Sequence, residues 1–414
     1  MTTNVVRRER LSRFVDLARV YRGWNKSELS QALGRDPTKL IPRSGNPKLD
    51  LVVGLAEALD WSVGDVAESV WRNQVGCDPE LEALDFQTLN TRSIEAHRSG
   101  RWEDMLAIAN AMLERSETST NRALAFNRIG GAHDGLGRYA DALRAWQEGL
   151  NERSVSPAIR IMLQANLANA HYTLWHLVEA RAIATVSIEQ LEEPGRDSRL
   201  ERVMSALARY VRGNTLRRMI NEDQGPTDDA SRRAETDLEI ARDRYARLSE
   251  EFGDESYLGV ANTCKGALVE VRAASGRLSS REAIDEINRG MDEVVDPEAV
   301  PPGDILESWG WWAIFGCNIA LRHLHGDELH RQMAVFTNKA IEIGDRLGNW
   351  SIRERAFTLE QFRRQQARLD GINERNWSLD EEDIRVITGT MGRFPSFREV
   401  GWRILRGANV LEEC

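Results

Sequence analysis

Long apolar runs are missing from this 414-residue sequence. No stretch approaches the ~18 consecutive apolar residues that a membrane span needs. The first 13 residues are polar and basic with no apolar segment, so they do not read as a secretory signal. A cytoplasmic protein with no membrane contact is expected. Cysteine is scarce: Cys77, Cys264, Cys317 and Cys414 lie far apart and form no C-x-x-C pair. That excludes a disulfide framework and a zinc knuckle. Lysine is nearly as scarce, with only Lys26, Lys39, Lys48, Lys265 and Lys339, three of them near the N-terminus.

The motifs of common enzyme chemistry are also missing. There is no phosphate-cradling G-x-x-x-x-G-K-[ST], no G-x-G-x-x-G after a strand, no H-E-x-x-H and no G-x-S-x-G. His323 and His325, two residues apart, would point to different faces of a helix, and His330 is off the i+4 spacing from His325, so no metal site is read there. Glu381-Glu382-Asp383 sits in polar context and suits a solvated helix start rather than an acid/base pair. No enzyme, cofactor or metal is expected. The cluster Trp309-Gly310-Trp311-Trp312 reads as packing in a helical seam.

What remains is a folded, helical composition: 41% hydrophobic and 29% charged residues. The length exceeds what one core supports, so two or more domains or an extended array is implied. Charge is unevenly spread. Residues 1–48 hold 11 Lys/Arg against four Asp/Glu, whereas the chain as a whole carries a net charge of −10. A basic head on an acidic body has the asymmetry that nucleic-acid binding needs.

Within residues 1–75, apolar residues at helical spacing predict a helix over 8–21. A short amphipathic one follows from Asn25 or Lys26 to Leu33, closed by Gly34. Asp36 and Pro37 predict an N-cap and N1 for a third helix over Pro37–Ile41. Pro42–Pro47 is a loop by composition, and further helices follow over Leu49–Leu59 and up to Trp71. The order Ser27-Glu28-Leu29-Ser30-Gln31-Ala32-Leu33-Gly34, then Gly45-Asn46-Pro47, then Leu55–Val63 resembles the five-helix Cro/phage-repressor (XRE) helix-turn-helix domain. That resemblance implies a second helix across the DNA backbone and a third in the major groove. The segment between Gly34 and Pro47 is shorter than the family's, and Pro42 stands where the third helix should continue. Arg35, Thr38 and Lys39 are the candidates for base edges. Arg43 and Lys48, with Lys26, are the candidates for phosphates. The alternative is a head that keeps the fold, no longer reads DNA and serves as a dimer or docking module.

Residues 80–414 read as stacked helical hairpins. Phe126, Ile129, Gly130, His133, Gly137, Tyr139, Ala142 and Trp146 follow the pattern of a tetratricopeptide repeat, and similar units are marked near Phe86 and Ile161. This part resembles the tetratricopeptide family, with capping helices over Trp350–Leu369, Leu379–Met391 and Phe397–Leu411. Asn221–Ser231 is predicted as a long polar loop. Helical pairs are expected over Tyr257–Val295 and Ile305–Leu347. The fold expected is therefore all-α: a small five-helix head and an α-solenoid of tetratricopeptide-like hairpins.

In the tetratricopeptide family the first helix of each hairpin lines a concave surface that binds peptides or partner proteins. That register implies inward-facing Asn127, Asp134, Asn169 and Tyr172, with Asn166 one position off. An Asn amide can pair with both polar groups of a peptide backbone, which makes Asn127 and Asn169 clamp candidates. The leading expectation is a DNA-binding transcriptional regulator, a homodimer on operator DNA, whose body senses a peptide or protein. The alternatives are a non-enzymatic interaction scaffold with a vestigial head, and a helical-repeat adaptor in a defence or toxin system.

Overall fold

The computed structural model describes residues 3–42, 46–71, 79–193, 195–222, 228–369, 371 and 377–410. The chain divides into two compact units, Met1–Cys77 and Asp78–Cys414. Among the described residues every regular element is helical, so the protein is all-α. No helix among them is long and apolar enough to cross a membrane.

The first unit contains α1 (Thr3–Arg22), α2 (Lys26–Ala32), α3 (Leu49–Leu59) and α4 (Val63–Trp71). Asn25 starts α2 by accepting from the backbone N–H groups of Ser27 and Glu28, while Glu28 returns a bond to the Asn25 N–H. This reciprocal cap satisfies donors that a helix start leaves open. Leu11, Val15, Leu29, Leu51, Leu55 and Val66 bury one core between the four helices. Arg22 caps the end of α3, donating to the carbonyls of Ala58 and Glu57 and to the Asp60 carboxylate.

The structure departs from expectation at the third of the five helices. Residues 36–42 form turns and bends, so the described head has four helices and lacks the one expected over Pro37–Ile41. The cause is local. Asp36 Oδ1 accepts from both the Thr38 N–H and its hydroxyl, and Lys39 N–H closes a turn on the Asp36 carbonyl. Pro42 disfavours a helical residue before it, and five residues give too few hydrogen bonds to offset helix nucleation. Buried Leu40 then pins the turn to the core.

The second unit runs α5 (Pro79–Glu82), α6 (Phe86–Arg98), α7 (Trp102–Glu114), α8 (Ser119–Gly135), α9 (Tyr139–Asn151), α10 (Pro157–Thr173) and α11 (Leu177–Leu191). It continues with α12 (Arg199–Glu222), α13 (Asp228–Phe252), α14 (Ser256–Ala274), α15 (Ser280–Asp292), α16 (Asp304–His323) and α17 (Gly326–Leu347). It ends with α18 (Trp350–Leu369), α19 (Glu381–Arg393) and α20 (Arg398–Gly407). From α6 onward each even-numbered helix packs against the odd-numbered one after it, and against the next even-numbered helix along the array. The pairs α14/α15 and α16/α17 lie where the periodicity puts them. The predicted loop Asn221–Ser231 is shorter than expected: α12 runs through Glu222 and α13 starts at Asp228, and residues 223–227 lie outside the described set.

Helix pairs approach closely over small residues. A Cβ at Gly266 would meet the Trp312 ring at 2.7 Å, and one at Gly259 would overlap the Asp304 carbonyl. Trp312 and Trp309 pack in that seam with tilted rings 5.2 Å apart, and Trp312 Nε1 donates to the Asn262 carbonyl. A side chain can yield to an added methyl; a backbone carbonyl cannot do so cheaply. Gly259→Ala should therefore lower stability by about 1–3 kcal/mol despite alanine's better helix propensity. Gly392→Ala, which has open space in α19, should raise it by up to about 1 kcal/mol. Urea titrations followed by circular dichroism should show the two midpoints moving in opposite directions; a shared direction would refute the close-approach account.

Candidate functional site

The first helices of successive hairpins, α8, α10, α12, α14, α16 and α18, all contribute to the wall of one cavity of about 710 Å³ inside the second unit. All five residues assigned to peptide or partner binding from the sequence line it: Asn127, Asp134, Asn166, Asn169 and Tyr172. The periodicity of α10 explains part of this. Asn166, Asn169 and Tyr172, three residues apart, share one face of that helix. Asn127 is buried, and its Oδ1 accepts from Asn166 Nδ2 at 2.8 Å across the α8/α10 interface. Asn166, one position off in the repeat register, is therefore the amide that holds Asn127.

The cavity is acidic on one side. Asp134 stands in its wall, where burial and then the nearby Glu307 raise its carboxyl to about 7, with no cation offsetting them. Glu307 is itself pushed up, chiefly by burial, although it accepts from Trp311 Nε1 at 3.1 Å. Asp304 is raised by burial and by Asp254. Arg128 is the basic counterpart in the wall; burial lowers its guanidinium, and its Nε donates to Asn90 Oδ1. Amides, carboxylates and aromatic rings thus face a common space. The arrangement can hydrogen-bond an extended backbone and attract a cationic group.

Several wall residues escaped sequence reasoning. Trp311 lines the cavity, whereas Trp309 and Trp312 from the same cluster pack the seam. Asp304 and Glu307 follow the Pro-rich segment, where acidic residues read as an ordinary helix start. The 3–4-residue spacing of Asp304, Glu307 and Trp311 was the available signal, and nothing local says that this face of α16 looks inward.

In the head, the DNA-facing candidates occupy different situations. Lys26, Lys39 and Lys48 are exposed. Arg35 Nη2 is paired with Asp50 Oδ1 at 2.6 Å, and the Thr38 hydroxyl is spent on Asp36. Arg43 lies outside the described residues. Four helices with three exposed lysines can present positive charge to phosphates. No helix presents Arg35, Thr38 or Lys39 to base edges.

No family model matches the chain, and no curated protein matches it. Among solved structures it is similar to Bacillus thuringiensis PlcR, described as a complex with the peptide PapR7 and DNA. That likeness covers 74% of this chain and 99% of that one, at 14% identity and a TM-score of 0.38. At those values it identifies no ligand for the present protein.

Asp134 gives the cavity a pH signature. Its folded-state value near 7 lies above the ~3.9 of an unfolded Asp, so its contribution to stability is full below pH ~4 and is lost as pH rises to about 7. Asp134→Asn should leave the melting temperature nearly unchanged at pH 4. The variant should gain progressively on the parent up to about pH 7 and keep a constant advantage above it. Thermal melts at pH 4, 5.5, 7 and 8.5 check this; an advantage independent of pH would refute the burial of Asp134.

Proposed function

We propose that this protein is a non-enzymatic regulator whose repeat body takes an extended peptide or protein segment in the inner cavity and whose head engages DNA. The convergence of Asn127, Asp134, Asn166, Asn169 and Tyr172 on one cavity carries the reading for the body. Asn169, free of the Asn127–Asn166 pairing, is the clamp for a ligand backbone, and Asn127 positions the layer beneath it. Asp134, Asp304 and Glu307 favour a segment with a cationic residue or a free amino terminus.

For the head, the basic excess of residues 1–48 and the exposed Lys26, Lys39 and Lys48 support contact with the phosphate backbone. Base reading would fall to the turn at 36–42 rather than to a helix. A homodimer, presenting two such heads to two half-sites, would supply the recognition that one short element lacks. The lack of a helix over Pro37–Ile41 favours a second reading, in which the head only docks or dimerises and the protein is an interaction scaffold.

Fluorescence anisotropy of the full chain with its own upstream DNA and with random DNA, each at two salt concentrations, separates these readings. A regulator prefers the upstream fragment. Lys26→Ala, Lys39→Ala and Lys48→Ala combined should flatten the log–log salt dependence by up to about 0.9 per lysine. Equal binding to both fragments, or none, removes the DNA reading and leaves the scaffold. Independently, labelled full-length protein on a hexapeptide array should bind a subset of sequences, and Asn169→Ala should weaken those by roughly tenfold, the value of one lost hydrogen bond of about 1.4 kcal/mol. An unchanged array pattern would exclude Asn169 from ligand binding.

A further inference from the structure

A second cavity, of about 610 Å³, lies in the same unit and shares the Trp311 wall with the first. Its charge is opposite. Arg217, Arg218, Arg322 and Arg355 line it, with Glu354 as the only acidic side chain in the wall among the described residues. Arg217 is neutralised by Glu270, at 2.8 Å. Glu354 lies 4.0 Å from Arg355, and its Oε1 accepts from the Thr358 hydroxyl. Arg322 donates to the Ile220 carbonyl. Arg218 donates to the Tyr172 carbonyl at 2.6 Å, and among the described residues it has no carboxylate within ion-pair distance. Arg218 and Arg322 are thus the two without an acid at ion-pair distance among the described residues, and Arg355 keeps only the 4.0 Å contact with Glu354.

Arg218 is only 5% exposed, yet it lines the cavity. Its guanidinium stacks on Tyr172 at 3.7 Å and on Trp175 at 4.2 Å, and Arg355 lies 4.4 Å from the same Trp175 ring. Two guanidinium groups thus lie within 4.4 Å of one indole ring, Arg218 with no acid at ion-pair distance among the described residues and Arg355 with Glu354 at 4.0 Å. Burial pulls the Arg218 guanidinium down to about 10, with Tyr172 and Glu354 opposing the shift and Arg217 and Arg355 adding to it. Much of the remaining wall is apolar, from Trp311, Ile314, Leu321, Leu359, Phe362 and Val400, with Asn318, Thr358 and Ser396 as its polar members. Guanidinium forks match the paired oxygens of a carboxylate or phosphate, and planar stacking keeps those forks pre-oriented. The volume is that of a small-ligand site.

We infer that this second cavity binds an organic oxyanion, a carboxylate or phosphate ester carried on a flat apolar body, with its head between Arg218 and Arg355. The apolar body lies along Trp311 and Leu359 toward Phe362, which is 45% exposed. The site adjoins the peptide cavity across Trp311, but its arginines do not line that cavity, and the inference does not rest on the peptide reading.

Isothermal titration calorimetry of the full chain with 2-naphthoate, 2-naphthyl phosphate and the neutral 2-naphthamide tests it. At least one acid should bind with one-to-one stoichiometry and at least tenfold more tightly than the amide, and the tighter of the two identifies the head group. Arg218→Met and Arg355→Gln should each weaken that binding by tenfold or more. Asn169→Ala, which alters only the peptide cavity, should leave it unchanged, so this site and the peptide reading stand or fall separately. If Arg218→Met loses its helical circular-dichroism spectrum, Arg355→Gln carries the test alone. Equal binding of acids and amide, no binding of either acid, or acid binding indifferent to the arginine substitutions would overturn the assignment.

Discussion

The inner surface of the repeat body is organised around one buried ion pair, Arg217 with Glu270. The two side chains are 3% and 2% exposed. Arg217 Nη1 reaches both Glu270 oxygens, its Nε donates to Asn214, its Nη2 donates to the Tyr172 hydroxyl, and its guanidinium packs on the Phe315 ring. Asn318 adds two longer bonds to the same carboxylate. Residues from α10, α12, α14 and α16 thus meet in one network. Removing one partner of such a pair leaves an uncompensated charge in a low-dielectric interior, typically at a cost of about 3–5 kcal/mol, whereas the intact pair adds little net stability. What it supplies is a fixed relation among four helices, and the two cavities owe their walls to that relation.

The layer of first helices can afford polarity because the seams behind it are apolar and tight. Ala206, Ala208, Ala241, Ala267 and Ala320 are almost wholly buried, and the aromatic rings of Trp312, Phe315 and Phe336 fill the gaps that the small residues open. Those seams carry the hydrophobic term, since an aromatic side chain buries roughly 150–250 Å². Asp237 shows how the remaining charge is handled: it is 1% exposed and is held by Arg209 and Arg212 from the adjacent helix. Where acids and arginines are matched, they stitch α12 to α13. Asp134 and Arg218, which are not matched in this way, face a cavity.

Elements governed by local chemistry were legible in the sequence. The start of α2 at Asn25 or Lys26 and the bounds of α3 and α18 follow from spacing and from side chains acting within one turn, whereas the inward face expected for α8 and α10 came from the tetratricopeptide resemblance. One local error concerns Pro37–Ile41, where an N-cap residue and a proline were read as a helix start. The same Asp36 forms a turn because Pro42 leaves no length for a helix to repay its nucleation. Non-local pairing was not legible. Arg217 and Glu270 are 53 residues apart, and charged residues on predicted helices normally point to solvent. Only the superposition of helices from different hairpins reveals that these face inward. The same blindness hid Asp304, Glu307, Arg218 and Arg355.

The distribution of that inward charge is itself informative. A chain under pressure only to fold would fill the space beside Tyr172 and Trp175 with an apolar side chain of arginine's volume, since a buried cation without an acid is destabilising and a well-packed hydrophobe is not. Instead Arg218 sits there held by one carbonyl and two rings, while Asp134 and Glu307 stand in the other cavity with raised carboxyls. Along α16 the face changes sign, from Glu307 through Trp311 to Arg322. Like charges separated from their opposites across a single tryptophan raise the energy of the empty body and lower that of a body whose cavities hold groups of opposite sign. The two cavities of the unliganded fold thus present opposite charge, acidic on the Asp134 side and basic on the Arg218 side.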